Sequence, residues 1–311
     1  MSLTTYLITG GAGNIGSALT NKLAENGKNL IVIIDNLLTG SQSKIPTKDN
    51  VVFIKADVNI YNDVVPVFGR FNFDYVFHFA AVVGVKRTLE NPMMVLNDID
   101  GIRNILSLSK NTCVKRVFYS SSSEVYGEPF EIPQNELTTP LNSRLPYAIV
   151  KNLGEAFFRS YFQEYGLEYT IFRFFNTYGP NQSEDFVIPR FLNAALKNEP
   201  ILIYGNGQQT RSFCFVDDNI DTCIKALISS DYSNEVLNIG SDIEMTILEL
   251  AKTIIKVSGS KSNIEHLPAL KEGDMERRCP DTSKMKALLG REMVSLEVGL
   301  KKLITYYEDR N

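Results

Sequence analysis

The amino-acid sequence predicts an α/β fold: a doubly wound parallel sheet with helices on both faces, and a smaller α/β unit interleaved toward the C-terminal end. Short apolar runs alternate with longer stretches of helical periodicity through the first half of the chain. These runs read as strands buried on both faces, the habit of parallel sheets. A glycine-rich turn joins the first run to the first helical stretch, at the place where such sheets bind ligands.

The first strand is TYLIT (residues 5–9), and a helix is expected over residues 14–25. LIVIID (30–35), VVFIKAD (51–57) and YVFHFAA (75–81) supply three more strands, followed by a helical stretch over 92–110. RVFYSSS (116–122) is the fifth strand and EYTIFRFF (168–175) the sixth, with a helix over 146–165 between them. After about Asn176 the elements shorten and turn residues multiply, as in NTYGPNQSED and YGNGQQT. RSFCFVDDNIDTCIKALI restores strand and helix, and EVLNIG returns the chain to the sheet. The predicted division is therefore interleaved, with residues 1–177 plus about 211–240 in the sheet unit and about 178–210 plus 241–311 in the smaller one. No repeat, low-complexity tract or linker interrupts it.

Composition excludes several functions. The net charge is -4, with no sustained run of lysine or arginine, so no electrostatic footprint for nucleic acid exists. Cys113, Cys214, Cys223 and Cys279 form no C-x-x-C pair, and His78 and His266 lie far apart, so neither a disulfide framework nor a metal site is expected. No apolar run is long enough to cross a bilayer, and the first residues lack the layout of a signal peptide, which makes the cytoplasm the expected compartment. Two helical stretches, PMMVLNDIDGIRNILSLSK and YAIVKNLGEAFFRSYFQEY, are apolar over broad arcs. One side packing on the sheet and another on a second copy would account for them, giving a homodimer through a four-helix bundle.

The turn ITGGAGNIGS places Gly10, Gly13 and Gly16 at the spacing of a tight turn, a close backbone approach to a pyrophosphate, and close helix-to-strand packing. Backbone N–H groups at the helix start, around Asn14 and Ile15, would hold the phosphates. Asp35 ends the second strand nineteen residues beyond Gly16, with Asn36 next to it. Its carboxylate can accept from both hydroxyls of an adenosine ribose and would repel a 2′-phosphate, and no arginine follows in DNLLTG to offset that. A Rossmann-type site for NAD, in preference to NADP, follows. Asp57 and Val58 come after the third strand, where the adenine should lie, and Ala80 and Ala81 end the fourth at the crevice, small enough to admit the cofactor.

Of fourteen tyrosines, Tyr147 alone has a lysine four residues on, Lys151, which stacks on the same helical face. Such an ammonium would favour the ionised phenol. With the glycine loop, Asp35, SSSSEVYG and this pair in order, the chain resembles the extended short-chain dehydrogenase/reductases of the sugar-nucleotide epimerase, dehydratase and decarboxylase group, from Tyr6 to about Tyr307.

The resemblance implies an enzyme in which NAD takes a hydride from carbon 4 of a hexose attached to a nucleoside diphosphate. By the same resemblance Tyr147 is the base, Lys151 lowers its pKa and binds the nicotinamide ribose, and Ser122 meets the sugar oxygen. Asn97 and Ser120 fall at cofactor-side positions, and Ser123 and Glu124 at the sugar. Asn176 and Arg211 match residues that meet the substrate pyrophosphate, and Arg278, in GDMERRCPD, matches an arginine facing the phosphates or the reacting sugar.

Glu124 departs from the group's plain epimerases, which usually carry a neutral residue there. A carboxylate in that place can move a proton at carbon 5 of a 4-keto sugar. Ser-Ser-Glu resembles the UDP-glucuronate decarboxylases and the GDP-mannose 4,6-dehydratases, which have Thr-Ser-Glu, and lacks the Asp-Glu pair of the dTDP-glucose dehydratases. RRCPDTSKMKALLG and IYGNGQQTRSF look decarboxylase-like, whereas EIPQNELTTP and RLPYAIVK look dehydratase-like. Asp35 disagrees with the NADP preference of those dehydratases, and AAVVGVKRTLENP lacks the proline-rich loop of the decarboxylases, with Val83 where relatives often have a polar residue. A closed cycle in which the hydride returns to the sugar ranks first. Net 4-dehydrogenation comes second, epimerisation beside the ketone is the remaining chemical outcome, and a non-catalytic NAD or nucleotide sensor on the same fold is the alternative of a different class.

Overall fold

The computed structural model describes residues 3–128, 130–269 and 277–309, so the first four residues of the GDMERRCPD segment lie outside it while Arg278 lies within. β1 (Thr4–Thr9) runs into α1 (Asn14–Leu23); β2 (Asn29–Asp35), β3 (Val51–Lys55), α2 (Tyr61–Arg70) and β4 (Tyr75–His78) follow. α3 (Val85–Glu90), α4 (Pro92–Leu96) and α5 (Asp98–Asn111) precede β5 (Arg116–Ser122), and α6 (Pro146–Tyr165) leads to β6 (Glu168–Phe174). Next come β7 (Thr177–Tyr178), α7 (Val187–Leu196), β8 (Ile201–Tyr204), β9 (Thr210–Ser212), β10 (Cys214–Phe215) and α8 (Val216–Ile228). β11 (Glu235–Ile239), β12 (Glu244–Thr246), α9 (Ile247–Ser258), β13 (Ile264–Leu267), α10 (Ser283–Leu289) and α11 (Leu296–Glu308) complete the order.

The main sheet has the order β11-β6-β5-β4-β1-β2-β3, and every neighbouring pair is parallel. Strand order turns back between β1 and β4, which leaves a crevice beyond their C-terminal ends. The period-two alternation of a strand sends successive side chains to opposite faces. On β5, Val117 and Tyr119 join a core with α2, α5 and α6, whereas Phe118 joins one with α1 and α8. Phe118 lies in an aromatic row across β4, β5 and β6, stacked on Phe77 at 4.4 Å and beside Phe172 at 5.9 Å. Three two-stranded ladders, β7 with β10, β9 with β12 and β8 with β13, build out the second half.

Two predicted elements end differently. The strand expected over 75–81 stops at His78: the Phe79 amide is shared between the Thr9 carbonyl and the Thr9 hydroxyl, each at 3.2 Å, and the Ala80 amide goes to that hydroxyl at 3.2 Å in place of a ladder partner. The helix expected over 92–110 breaks at Asn97, where a tightened Asp100 N–H to Asn97 carbonyl bond at 3.0 Å lets Asp98 turn inward. In contrast α6 keeps its predicted bounds: Pro146 presets the first turn, and Gly166, at φ +70°, closes the last in a left-handed conformation. Among the described residues no helix is long and apolar enough to cross a membrane.

Candidate active site

A cleft of about 840 Å³ opens at the crevice, and every predicted site residue lines it except Arg211. The β9–β12 ladder sets Arg211 opposite Met245, and its guanidinium donates to the Thr210 carbonyl at 2.7 Å. Position in sequence had aligned this arginine with a pyrophosphate ligand; its ladder holds it off the cleft wall. Asn176 does line the cleft, with its amide nitrogen donating to the Ser212 carbonyl at 3.0 Å.

At one end the glycine turn is shaped by crowding. Gly10 has φ +72°, and a Cβ there would stand 2.7 Å from the backbone nitrogen of Ala80. A Cβ on Gly16 would meet the Gly10 carbonyl at 2.3 Å, so both positions exclude a side chain. Gly13 is different: its Cβ would meet only the Gly10 carbonyl, at 3.2 Å, and its backbone opens α1 without a side-chain cap. The first amides of the helix, at Asn14 and Ile15, are thus left for an anion. That cradle fits a pyrophosphate.

Asp35 is held rigid beside it. Its Oδ2 accepts the Ala12 amide at 3.0 Å and its Oδ1 the Leu37 amide at 2.8 Å, and the remaining lone pairs face the cleft with Asn36. Asn36 donates to Asp57 at 2.9 Å, which ties the ends of β2 and β3 together, and Val58 forms an apolar wall. Lys44 also lines this end, its amine lowered below the ordinary value by burial, against the opposing charge of Asp35. Eight residues separate Lys44 from Asp35, so no local spacing announced it.

The other end carries the titratable groups. Tyr147 faces Ser122, whose Oγ accepts the Glu124 amide at 3.2 Å and starts a short turn that places Ser123 and Glu124 on the wall. Burial pushes the Tyr147 phenol well above its ordinary value, and the Glu124 carboxylate pushes it further; Ser122 and Arg278 pull the other way. The lowering expected from Lys151 does not outweigh burial and Glu124 in the protein alone. Lys151 is buried and donates to the Ser120 carbonyl at 2.6 Å, with its ammonium 5.1 Å from the Tyr119 ring and 5.7 Å from that of Tyr147. Burial brings its pKa down to about 8, against the attraction of Asp98. Arg278, also buried, donates to Ser123 Oγ at 3.3 Å and stands 3.7 Å from Glu124 Oε1.

Between the two ends lie Ala80 and Ala81. Thr9 fixes the first of them: its hydroxyl oxygen accepts the Phe79 and Ala80 amides, so its single proton goes to His78 Nδ1 at 2.9 Å. Burial and the charge of Lys151 hold His78 neutral, at about 3. Asn97 is exposed at the rim, whereas its neighbour Asp98 is buried and touches the wall from beneath. Arg87 joins the two lips, donating to the Val83 carbonyl at 2.7 Å and pairing with Asp185 at 3.3 Å.

Residues 6–240 match the NAD-dependent epimerase/dehydratase family. The chain is 36% identical over 318 residues to a UDP-N-acetyl-alpha-D-glucosaminuronate decarboxylase of Bacillus cytotoxicus, covering 97% of each. It is 36% identical over 312 residues to UDP-glucuronic acid decarboxylase 1 of Danio rerio, covering 97% of this chain and 72% of that one. Among solved structures, a UDP-glucose 4-epimerase of Thermotoga maritima with UDP-glucose superposes with a TM-score of 0.92 at 32% identity, covering 99% of both chains.

Proposed function

The chain belongs to the NAD-dependent epimerase/dehydratase family, and from that membership we propose that it is an NAD-dependent enzyme oxidising carbon 4 of a nucleoside-diphosphate hexose as the first step of a closed cycle. The observation carrying this reading is the single cleft that holds a pyrophosphate cradle at one end and the Ser122–Tyr147–Lys151 group, with Glu124 and Arg278, at the other. NAD bound along it supplies a hydride acceptor and a positive charge beside the phenol.

Each residue then has a task. Gly10, Gly13 and Gly16 with the first turn of α1 take the pyrophosphate, Asp35 the adenosine ribose, and Asp57 and Val58 the adenine edge. Tyr147 removes the proton from the carbon-4 hydroxyl, and Ser122 holds that oxygen. The phenol must be lowered to do this, and since Glu124 and burial raise it, the cation beside it decides when it ionises. Lys151, anchored on Ser120, supports the nicotinamide ribose. Glu124 faces the sugar beyond Ser122 and is the second proton carrier, acting at carbon 5 once carbon 4 is a ketone. Arg278 balances its charge and offers a planar donor pair to an anionic substrate group. Asn176 is retained as a substrate contact, and Arg211 enters only if its strand moves toward the cleft on binding.

We place the enzyme in the cytoplasm as a homodimer. α6 supports the second point: Ile149, Leu153, Phe162 and Tyr165 are exposed along it, and a hollow of about 270 Å³ lies between Leu153 and Tyr165. A four-helix bundle with a second copy would cover this stripe. Sedimentation at micromolar concentration should give twice the chain mass, and Leu153→Glu should halve it.

The reaction is tested by incubating the purified protein and NAD with UDP-, GDP- and dTDP-hexoses and the corresponding uronates. Loss of water, loss of carbon dioxide or an epimer without net nicotinamide reduction supports the closed cycle. Stoichiometric reduced nicotinamide with a stable keto product supports net dehydrogenation, and no change with any sugar nucleotide would remove the reading.

A further inference from the structure

Asp98 opens α5 with its carboxylate turned under the cleft and 9% of the residue exposed. Its Oδ2 accepts the Val82 amide at 2.7 Å and its Oδ1 the Asn59 side-chain amide at 3.4 Å. The orientation of Asn59 is fixed, because its own oxygen takes the Gly101 amide at 3.0 Å. Both carboxylate oxygens therefore face donors, and the helix start adds a favourable dipole, so the group is held as an anion. Burial outweighs the Val82 amide, Lys151 and Asn59, which pull its carboxyl down, and leaves it above the ordinary carboxylate value.

The groups that act on Asp98 come from every side. Lys151 on α6 is the cation among them; Asp57 after β3 is a like charge; the phenols of Tyr147 and Tyr119 are neutral. A buried anion and a buried cation thus share the wall between Ala81 and Ser120. The carboxylate offsets part of the charge of Lys151, which alone would make that wall positive and hostile to a second cation. An oxidised nicotinamide is such a cation, and the reduced ring, having gained a hydride, is neutral.

We propose that Asp98 is the fixed negative charge that makes this end of the cleft bind the oxidised, cationic nicotinamide in preference to the reduced one. The proposal rests on the dinucleotide reading given above. It assigns Asp98 a positioning and electrostatic role, exerted through Lys151 and the ring, without contact with the reacting sugar atoms. Its consequence concerns the fate of the ketone. A site that disfavours the reduced ring drives hydride back onto carbon 4 while Tyr147 returns the proton to the carbon-4 oxygen, so the alcohol re-forms before release. This electrostatic bias belongs to a closed cycle and opposes net dehydrogenation.

The test is the ratio of NAD+ to NADH affinities of the full chain, stripped of nucleotide and titrated by calorimetry. Asp98→Asn and Asp98→Ser, neutral side chains that can still accept the Val82 amide, should each shift the ratio toward NADH by about tenfold, chiefly by weakening NAD+. Asp98→Glu should restore at least part of it. A purely structural role would weaken both forms equally and leave the ratio within twofold, which would overturn the proposal. If the unaltered protein binds neither form, the dinucleotide reading itself fails, and the inference with it. Folding of each variant is checked by its melting temperature, and either neutral variant that folds decides the matter.

Discussion

The guanidinium of Arg173 grips the carboxylate of Glu155 with two hydrogen bonds, Nε to Oε1 at 2.8 Å and Nη2 to Oε2 at 2.7 Å, one helical turn beyond Lys151. Both side chains are buried, and the pair is built into a larger network: Ser121 donates to Glu155 at 2.7 Å, Arg173 donates to the Tyr126 hydroxyl at 2.8 Å, and Tyr126 donates to Asn238 at 2.7 Å. The strand carrying Ser122 and the helix carrying Tyr147 are thereby locked to each other from below. Glu155→Gln would leave a buried guanidinium without its counter-charge. It should cost about 3–5 kcal/mol, and lower the melting temperature by roughly 6–15 °C. Burial alone would raise the Glu155 carboxyl, but Arg173 and Ser121 hold it below its ordinary 4.5. This contribution is present above that pH and lost as pH falls through the lower folded value; thermal melts of the variant should lack that acid-side loss.

Tyr147 and Glu124 separate two proton transfers. Tyr147→Phe should abolish both turnover and the appearance of reduced nicotinamide on adding substrate, a loss of about 10²–10⁴ or more in rate. Glu124→Gln should spare the reduction, seen as nicotinamide absorbance in a single turnover, and lower product formation by about a hundredfold. Full activity of the phenylalanine variant would defeat the assignment.

Lys151 trades stability for charge at the site. In the unfolded chain it keeps its proton to about 10.5, whereas in the folded protein it releases it near 8. Between those values the unfolded state binds more protons, so stability should rise with pH across that window. Lys151→Met, which removes the buried charge, should stabilise the protein at pH 7 by about 3 kcal/mol, flatten this pH dependence and eliminate turnover. Denaturant melts at pH 7 and 9 check the sign.

The glycines divide by what a methyl group would strike. Gly10→Ala meets the Ala80 backbone and a left-handed φ, and should destabilise the whole chain. Gly13→Ala should leave the melting temperature within a few degrees yet weaken NAD+ by about tenfold or more, because Gly13 lines the cleft at the helix start that would take the phosphates. Calorimetry alongside melting distinguishes the two.

Strands were legible wherever the apolar run was its own signal, as in LIVIID and EVLNIG, and α6 wherever Pro146 and Gly166 marked its ends. α2 has no counterpart among the predicted helices, since Pro66 sits inside it and breaks the pattern a helix normally shows. The cleft residues came from local spacing and from the resemblance, and these fail where position depends on distant backbone. Arg211 follows its ladder off the wall, and Asp98, not Asn97, is buried because the Val82 amide lies within its reach. Lys44 and Arg87, the latter on the short α3 and paired with Asp185, reach the cleft by chain paths that no periodicity records. The elevated phenol of Tyr147 depends on burial and on Glu124 together, quantities that exist only once the chain has folded.

β11 is joined to β6 in space but separated from it by sixty residues of chain, 175–234. During synthesis the catalytic helix and the first six strands therefore leave the ribosome while one border of the sheet still has no neighbour. That border is open to pairing with another nascent chain until Glu235–Ile239 arrives and Asn238 closes the polar lock on Tyr126. Fragments ending before residue 235 should consequently be recovered as insoluble material, even though every predicted proton-transfer residue is already in them.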